Sequence, residues 1–305
     1  MKNIKEIDKD LNDKLQGISD KENALLLSFI ASEKIVRKSP IAYDYATITT
    51  QDLYNVEKVI EELRSKDNLP KKLHLIIQTP GGAADASLKI ANYLRNNFDE
   101  IEAYVPYEAA SGGTILCLAA NKIVMGMTSN LTPIDPQLRY KGQWISSTSY
   151  KQAIASFQKD YGNLRPEEIP SPNQQIANQF DPVILEEMNK LVLDSLTTAH
   201  KLLTKSQKPK TPIEEDSLIL VAVNLGRTNY PHSHIINVEE ARSIGLNVVD
   251  SSDKLELLAV YKKWVSCRLT EEETTHIIDS YYPTIKNDQN TVQAQSTLQQ
   301  QGGNR

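Results

Sequence analysis

An α/β fold made of βαβ units around a mostly parallel sheet is the class this sequence predicts. Three observations lead there. "LHLIIQT", "IEAYVPY" and "KIVMG" are short apolar runs of strand type. "GGAADASLKIANYLRNNF" and "GTILCLAAN" separate them and read as helices. Both strand-to-helix junctions, "QTPGGAADASL" and "AASGGTIL", carry paired glycines.

The remaining elements follow in order. Residues 3 to 37 predict two charged helices, "IKEIDKDLNDKLQ" and "KENALLLSFIASEKIVRK". "SPIAYDYATIT" predicts an extended segment. "TQDLYNVEKVIEELRSK" has apolar residues at Leu53, Val56, Ile60 and Leu63, a helical spacing, with Thr50 as its N-cap. "SYKQAIASFQKDYG" reads as a helix and "LRPEEIPSPNQQ" as a proline-rich loop. A long helix over "DPVILEEMNKLVLDSLTTAHKLLTK" starts at the capping Asp181 with Pro182 in the first turn. Its face of Ile184, Met188, Leu191, Ser195, Ala199 and Leu202 needs a partner surface. After "DSLILVAVNLG" come a turn at "NYPHSH", a short helix "VEEARSIG", a strand "LNVVD" and a last helix "KLELLAVYKKWVSCRL". From about 286 the chain is polar and of low complexity, too poor in apolar residues to order itself.

The chain has 305 residues, 40% of them hydrophobic, enough for a buried core. A net charge of −5 argues against an electrostatic nucleic-acid binder. Cys117 and Cys267 make neither a disulfide framework nor a metal pattern. No metal-ligand or phosphate-binding spacing occurs, so no metal and no cofactor are expected. The apolar run "ALLLSFIA" is about half a membrane span. The expectation is a soluble cytoplasmic protein with no membrane span.

The two glycine junctions define the candidate site. In a parallel sheet, ligands sit beyond the carboxyl ends of the strands, so both junctions can share one rim. Glycine lets a backbone amide approach a ligand oxygen, and a helix start leaves its first amides unpaired. An oxyanion hole from the Gly82 and Gly112 amides then becomes possible, with Ser111 as nucleophile beside it. Small residues around Gly82, namely Gly81, Ala83 and Ala84, suit an extended peptide lying over that edge. A serine at a helix start also serves as a cap, and PGG is a common turn.

"IIQTPGGAADASLKIANYLR", "AASGGTILCLAANKIVMGMTSNLTPIDPQ" and "INVEEARSIGLNVVD" resemble the Clp-fold serine peptidases, the superfamily of the Clp protease proteolytic subunit and signal peptide peptidase A. The branch called serine dehydrogenase proteinase is the most similar, through "PIDPQ". The resemblance covers about 73 to 138 and 228 to 250. It implies a Clp/crotonase-like spiral of βαβ units with a long handle-type helix. The expected division is an N-terminal helical extension over 1–40, the peptidase domain over 41–270, and a mostly disordered segment over 271–305. It implies Ser111 as nucleophile of an endopeptidase, Gly82 and Gly112 as oxyanion donors, a protein or peptide substrate, and a homo-oligomer with a possible regulatory or substrate-delivering partner.

The general base stays open. Where the Clp subunit has its histidine this sequence has Asp135, and near the family's acidic position it has His232 and His234. One reading exchanges the two roles, with His232 as base and Asp135 orienting it. Asp135 could equally form the turn between Pro133 and Pro136. Signal peptide peptidase A uses a Ser–Lys dyad instead, and Lys151 lies 40 positions after Ser111, with Lys141 nearer. Two rival functions also remain: an inactive Clp-fold scaffold or peptide-binding subunit, and a crotonase-type acyl-CoA enzyme. His74 and His200 read as structural.

Overall fold

The structure is a computed structural model that describes residues 4–31, 47–226, 230–269 and 276–284. Its spine is a sheet in the order β10-β1-β2-β3-β5-β9, with β11 also on β1. The strands are β1 (Ala24–Ala31), β2 (Lys72–Gln78), β3 (Glu100–Val105), β5 (Lys122–Met125), β9 (Val248–Val249), β10 (His276–Ile277) and β11 (Ser280–Tyr281). From β1 to β9 every pairing is parallel; β10 and β11 run antiparallel to β1. Helices α2 (Thr50–Ser65), α3 (Ala84–Asn97) and α4 (Gly112–Leu118) make the crossovers. The predicted α/β class with parallel βαβ units is the observed one.

A second, shorter row of pairings continues the first. After β2, Thr79 bridges Ala109; after β3, β4 (Glu108–Ala109) pairs with β6 (Asn130–Leu131), which follows β5; Leu131 then bridges Ile236. At the other end Ile48 bridges Gly82. The residues that directly follow β2, β3 and β5 thus repeat the neighbour order of those strands in the main sheet.

Several expectations change. Residues 24–31 are a strand, not the second charged helix. All eight are buried, and Ser28 is the single polar residue among them, which suits a strand covered on both faces. Helix α1 (Ile4–Glu22) stops at Asn23, whose φ of 47° is left-handed. The cap of α2 is Thr49 rather than Thr50: its amide donates to the carboxylate of buried Asp52, 2.7 Å away. The proline-rich stretch holds a short 3-10 turn (Pro166–Glu168) and helix α6 (Ser171–Ala177). Residues 276–284, within the segment expected to be mostly disordered, include β10 and β11. The extended segment expected before residue 47 and the low-complexity tail lie outside the described residues.

Three more elements complete the frame of the site: the hairpin β7 (Gln137–Tyr140) and β8 (Gln143–Ser146), helix α5 (Ser147–Tyr161), and the long helix α7 (Pro182–Gln207). Asp181 caps α7 by accepting the amides of Val183 and Ile184. Met188, Ala199 and Leu202 of the predicted face are buried, and the Ser195 hydroxyl donates to the Ile134 carbonyl at 2.9 Å. Helices α8 (Pro212–Leu225) and α9 (Val238–Ser243) follow, and α10 (Ser252–Leu269) packs on the opposite face of the sheet.

Under α10 lies a buried polar group. Glu102 accepts from Lys254 Nζ at 2.7 Å and from the Tyr104 hydroxyl at 2.7 Å. His74 Nδ1 is 2.7 Å from the Tyr261 hydroxyl. Burial depresses His74 to about 4, so it is neutral and structural, as expected from the sequence. Burial alone would raise Glu102, but the bonds from Lys254 and Tyr104 outweigh it and hold the carboxyl at about 2. Its ordinary value is 4.5, so its contribution to stability is fully present above that pH and is lost as pH falls through about 2. Lys254→Met should cost about 3 kcal/mol near neutrality, because it strips a buried carboxylate of its nearer cation and leaves only Lys122, at 3.5 Å, in direct contact. The gap from the parent should narrow below about pH 4 as the variant's carboxyl protonates first. Denaturant unfolding at several pH values measures both, and a pH-independent difference would refute the account.

Candidate active site

Ser111 sits at the N-cap of α4 with φ 48° and ψ −106°, a strained conformation for a side-chain-bearing residue. Its amide donates to Thr132 Oγ1 at 2.9 Å. Thr114 Oγ1 lies 2.8 Å from the carbonyls of both Ala109 and Thr132, which ties the turn to β4 and to the residue after β6. The backbone is thus fixed from both sides, while the Ser111 hydroxyl makes no hydrogen bond among the described residues. Small neighbours here have a cause: a Cβ on Gly112 would lie 2.5 Å from Ser87 Oγ.

The Gly82 and Gly112 amides come together. A Cβ built on Gly112 would lie 3.3 Å from the Gly82 nitrogen. Gly82 has no room for a side chain either, since its Cβ would meet the Ile48 nitrogen at 2.0 Å. Gly113 N–H bonds the Ala110 carbonyl and Ser111 N–H is taken by Thr132, but neither the Gly82 nor the Gly112 amide has a partner among the described residues. Gly81 and Ala83 differ from the expectation of a peptide-binding edge. Gly81 N–H goes to Thr79 Oγ1, Gly81 C=O accepts from Ile48, and Ala83 N–H goes to the Ile48 carbonyl. Residue 48 already occupies that edge.

Asp135 and His232, 97 positions apart, are in contact: His232 Nδ1 is 2.7 Å from Asp135 Oδ1. A carboxylate only accepts, so Nδ1 carries the proton and Nε2 of the neutral ring is left as an acceptor. Nε2 has no hydrogen bond among the described residues. The Asp135 side chain is fully buried and that of His232 is 27% exposed. Burial by itself would raise Asp135; hydrogen bonds from His232 and Ser146, the His232 charge and Thr148 together hold it below its ordinary 3.8. The position between two prolines is therefore more than a turn.

A short row of backbone pairings connects the segments that carry these groups. Leu131 lies between Ala109, two residues before Ser111, and Ile236, four residues after His232. The other candidates lie differently. His234 is bonded to Glu240 at 3.0 Å and stacked on Tyr230 with ring centroids 4.0 Å apart. Lys141 sits at the hairpin tip with φ 51°, its ammonium over the Tyr140 ring. Lys151 is half-buried in α5, with no hydrogen bond or ion pair among the described residues. His200 faces Thr204 within α7. Among the described residues no group of three or more His, Cys, Asp or Glu could hold a metal. The Ser146 and Thr148 hydroxyls on Asp135 were missed by the sequence reading; the hairpin register that brings them there was the available signal.

A hydroxyl on a strained turn, two free amides beside it and a histidine held by a buried carboxylate are the parts that acyl transfer at a serine requires. The chain belongs to the ClpP-like SDH-type serine proteinase family, whose model matches residues 4–160. That stretch holds Gly82, Ser111, Asp135 and Lys151 and ends before His232. Among known proteins the chain is 29% identical over 262 residues to the uncharacterized protein MJ0137 of Methanocaldococcus jannaschii, covering 85% of this chain and 80% of that one. A second uncharacterized protein of that organism, MJ1495, is 34% identical over 110 residues, 35% of this chain and 36% of its own. Among solved structures it is similar to a variant of the 1510-N membrane-bound stomatin-specific protease, at 16% identity and TM-score 0.41, covering 70% of this chain and 79% of that chain. A variant of ClpP1 from Listeria monocytogenes gives 13% identity and TM-score 0.40, covering 80% of this chain and 99% of that chain.

The Ser111 strain has a measurable consequence. Ser111→Gly removes the side chain that disfavours a positive φ and should raise stability by about 1 kcal/mol, after allowing for glycine's extra freedom in the unfolded chain. Urea unfolding reads this directly; a loss of stability would mean that the turn is not strained.

Proposed function

We propose that this chain is a serine endopeptidase in which Ser111 is the nucleophile, His232 the general base and Asp135 the group that orients it. The 2.7 Å contact between His232 Nδ1 and buried Asp135 is the observation that carries this reading, because it presents Nε2 as the basic nitrogen. Nε2 takes the Ser111 proton as Oγ attacks the peptide carbonyl. The Gly82 and Gly112 amides receive the developing oxyanion. Collapse expels the amine, protonated by His232, and leaves an acyl-serine. The same nitrogen then deprotonates a water that releases the acid. Asp135, held below its ordinary range, stays ionised throughout. A buried acid on His232 favours it over Lys151, which lacks such an arrangement. The substrate class is peptide or unfolded protein, in keeping with the family, and the site of action is the cytoplasm. No helix among the described residues is long and apolar enough to cross a membrane.

A fluorophosphonate probe tests the reading. The parent should be labelled, Ser111→Ala not at all, and His232→Ala at a rate lower by at least about a hundredfold. Gly112→Ala, forced against Ser87 Oγ, should slow labelling about tenfold or more. A folded parent that never labels would favour an inactive Clp-fold scaffold; turnover of an enoyl-CoA would favour the crotonase chemistry.

Self-association is part of the proposal. Val183 and Leu193 of α7 and Ile213 and Leu220 of α8 are 64–82% exposed, large apolar side chains on two helices that pack together. Sedimentation at micromolar concentration should give a homo-oligomer, and Leu220→Asp with Ile213→Asp should weaken it. A monomeric parent would remove this part alone.

A further inference from the structure

Both oxygens of Asp135 are occupied, and only one is taken by the histidine. Oδ2 accepts from Ser146 Oγ at 2.6 Å and lies 3.3 Å from Thr148 Oγ1. The two hydroxyls are 2.6 Å apart. Each hydroxyl has one proton. The short contacts assign that of Ser146 to Asp135 and that of Thr148 to Ser146, a chain in which each bond polarises the next. Thr148 is buried, so water has no ready access to replace it.

The hairpin delivers these hydroxyls. Gln137, two residues after Asp135, is paired with Ser146 across β7 and β8, and Ser147 N–H bonds the Pro136 carbonyl at 2.9 Å. The register therefore returns the chain to the carboxylate that it left. Ser146 is also the N-cap of α5, accepting the Ser149 amide at 3.3 Å.

We propose that Ser146 and Thr148 form a two-hydroxyl clamp that fixes Asp135 against His232, which makes them positioning residues of the site. The role in catalysis rests on the peptidase reading; the clamp itself does not. Apart from His232, no titratable side chain bonds Asp135 among the described residues. Losing the Ser146 donor leaves its burial less compensated, so its pKa rises and its hold on His232 loosens at the acid end of the working range.

The test uses the full chain with two readouts. One is the rate of fluorophosphonate labelling as a function of pH. The other is the proton NMR signal of the His232 Nδ1–H, protected from exchange by its bond to Asp135, which needs no activity. Ser146→Ala should slow labelling about tenfold, move its acid limb to higher pH, and broaden the imidazole signal. Ser146→Thr, which keeps the donor, should recover to within about threefold of the parent. Ser146→Asp keeps a good N-cap but sets a second carboxylate against Asp135, and should label more slowly than Ser146→Ala. Thr148→Val should fall between Ser146→Ala and the parent.

Parent-like labelling, acid limb and imidazole signal in Ser146→Ala, with only the melting temperature lowered, would overturn the clamp and leave Ser146 a helix cap. Parent-like labelling of Ser146→Asp would do the same. If the parent never labels but its imidazole signal is sharp and is lost in Ser146→Ala, the clamp stands and the peptidase reading falls. If the parent labels and both readouts ignore Ser146, the clamp alone fails.

Discussion

The site depends on a two-residue strand. Asn130–Leu131 is wedged between Glu108–Ala109 and Ile236, and each neighbour lies a few residues from a candidate site residue, Ser111 or His232. The residue after the wedge, Thr132, takes the Ser111 amide; Asp135, slightly further on, takes His232. One short ladder thus sets the separation of groups from three distant parts of the chain. Its rigidity comes from below. Met125 and Val105 belong to the buried sheet, and the pairings above inherit the order of the strands beneath them.

The fold buries two carboxylates in different company. Glu102 has the permanent cation Lys254 and a tyrosine hydroxyl, so its charge is fixed over the whole neutral range. Asp135 has two neutral hydroxyls and a histidine, the side chain whose charge changes most readily near neutrality. The first arrangement suits a structural anchor. The second leaves a buried carboxylate whose partners are all neutral hydroxyls or an imidazole. Strain follows the same division: Ser111 has its positive φ in the loop layer, whereas the buried strands of the main sheet contain no positive φ among the described residues.

Period and glycine placement made the central βαβ units legible, because buried parallel strands are short apolar runs and crossovers need breaks. The same rule misread 24–31. Lysine and glutamate flank this run, and charged flanks look helical when nothing reveals the partner strands on either side. β10 and β11 were invisible for a related reason: two-residue strands have no period of their own and exist because β1 offers unpaired backbone. At the site, Ser111 and the two glycines stand out locally. The His232–Asp135 contact is a tertiary fact that no spacing along the chain encodes, and resemblance to a family had to supply the idea of a pair. "SSTS" reads as an ordinary helix start, and only the hairpin register puts Ser146 opposite Gln137 and so beside the acid.

The pairing of β10 and β11 with β1 joins two segments that lie far apart along the chain. β1 is made early, yet one side of it stays uncovered until residues 276–281 arrive. During synthesis on the ribosome those residues clear the exit tunnel long after β1 has done so. The emerging polypeptide therefore carries an unsatisfied apolar strand edge while the residues between β1 and β10 are made, and the nascent chain is most exposed to wrong partners in that interval.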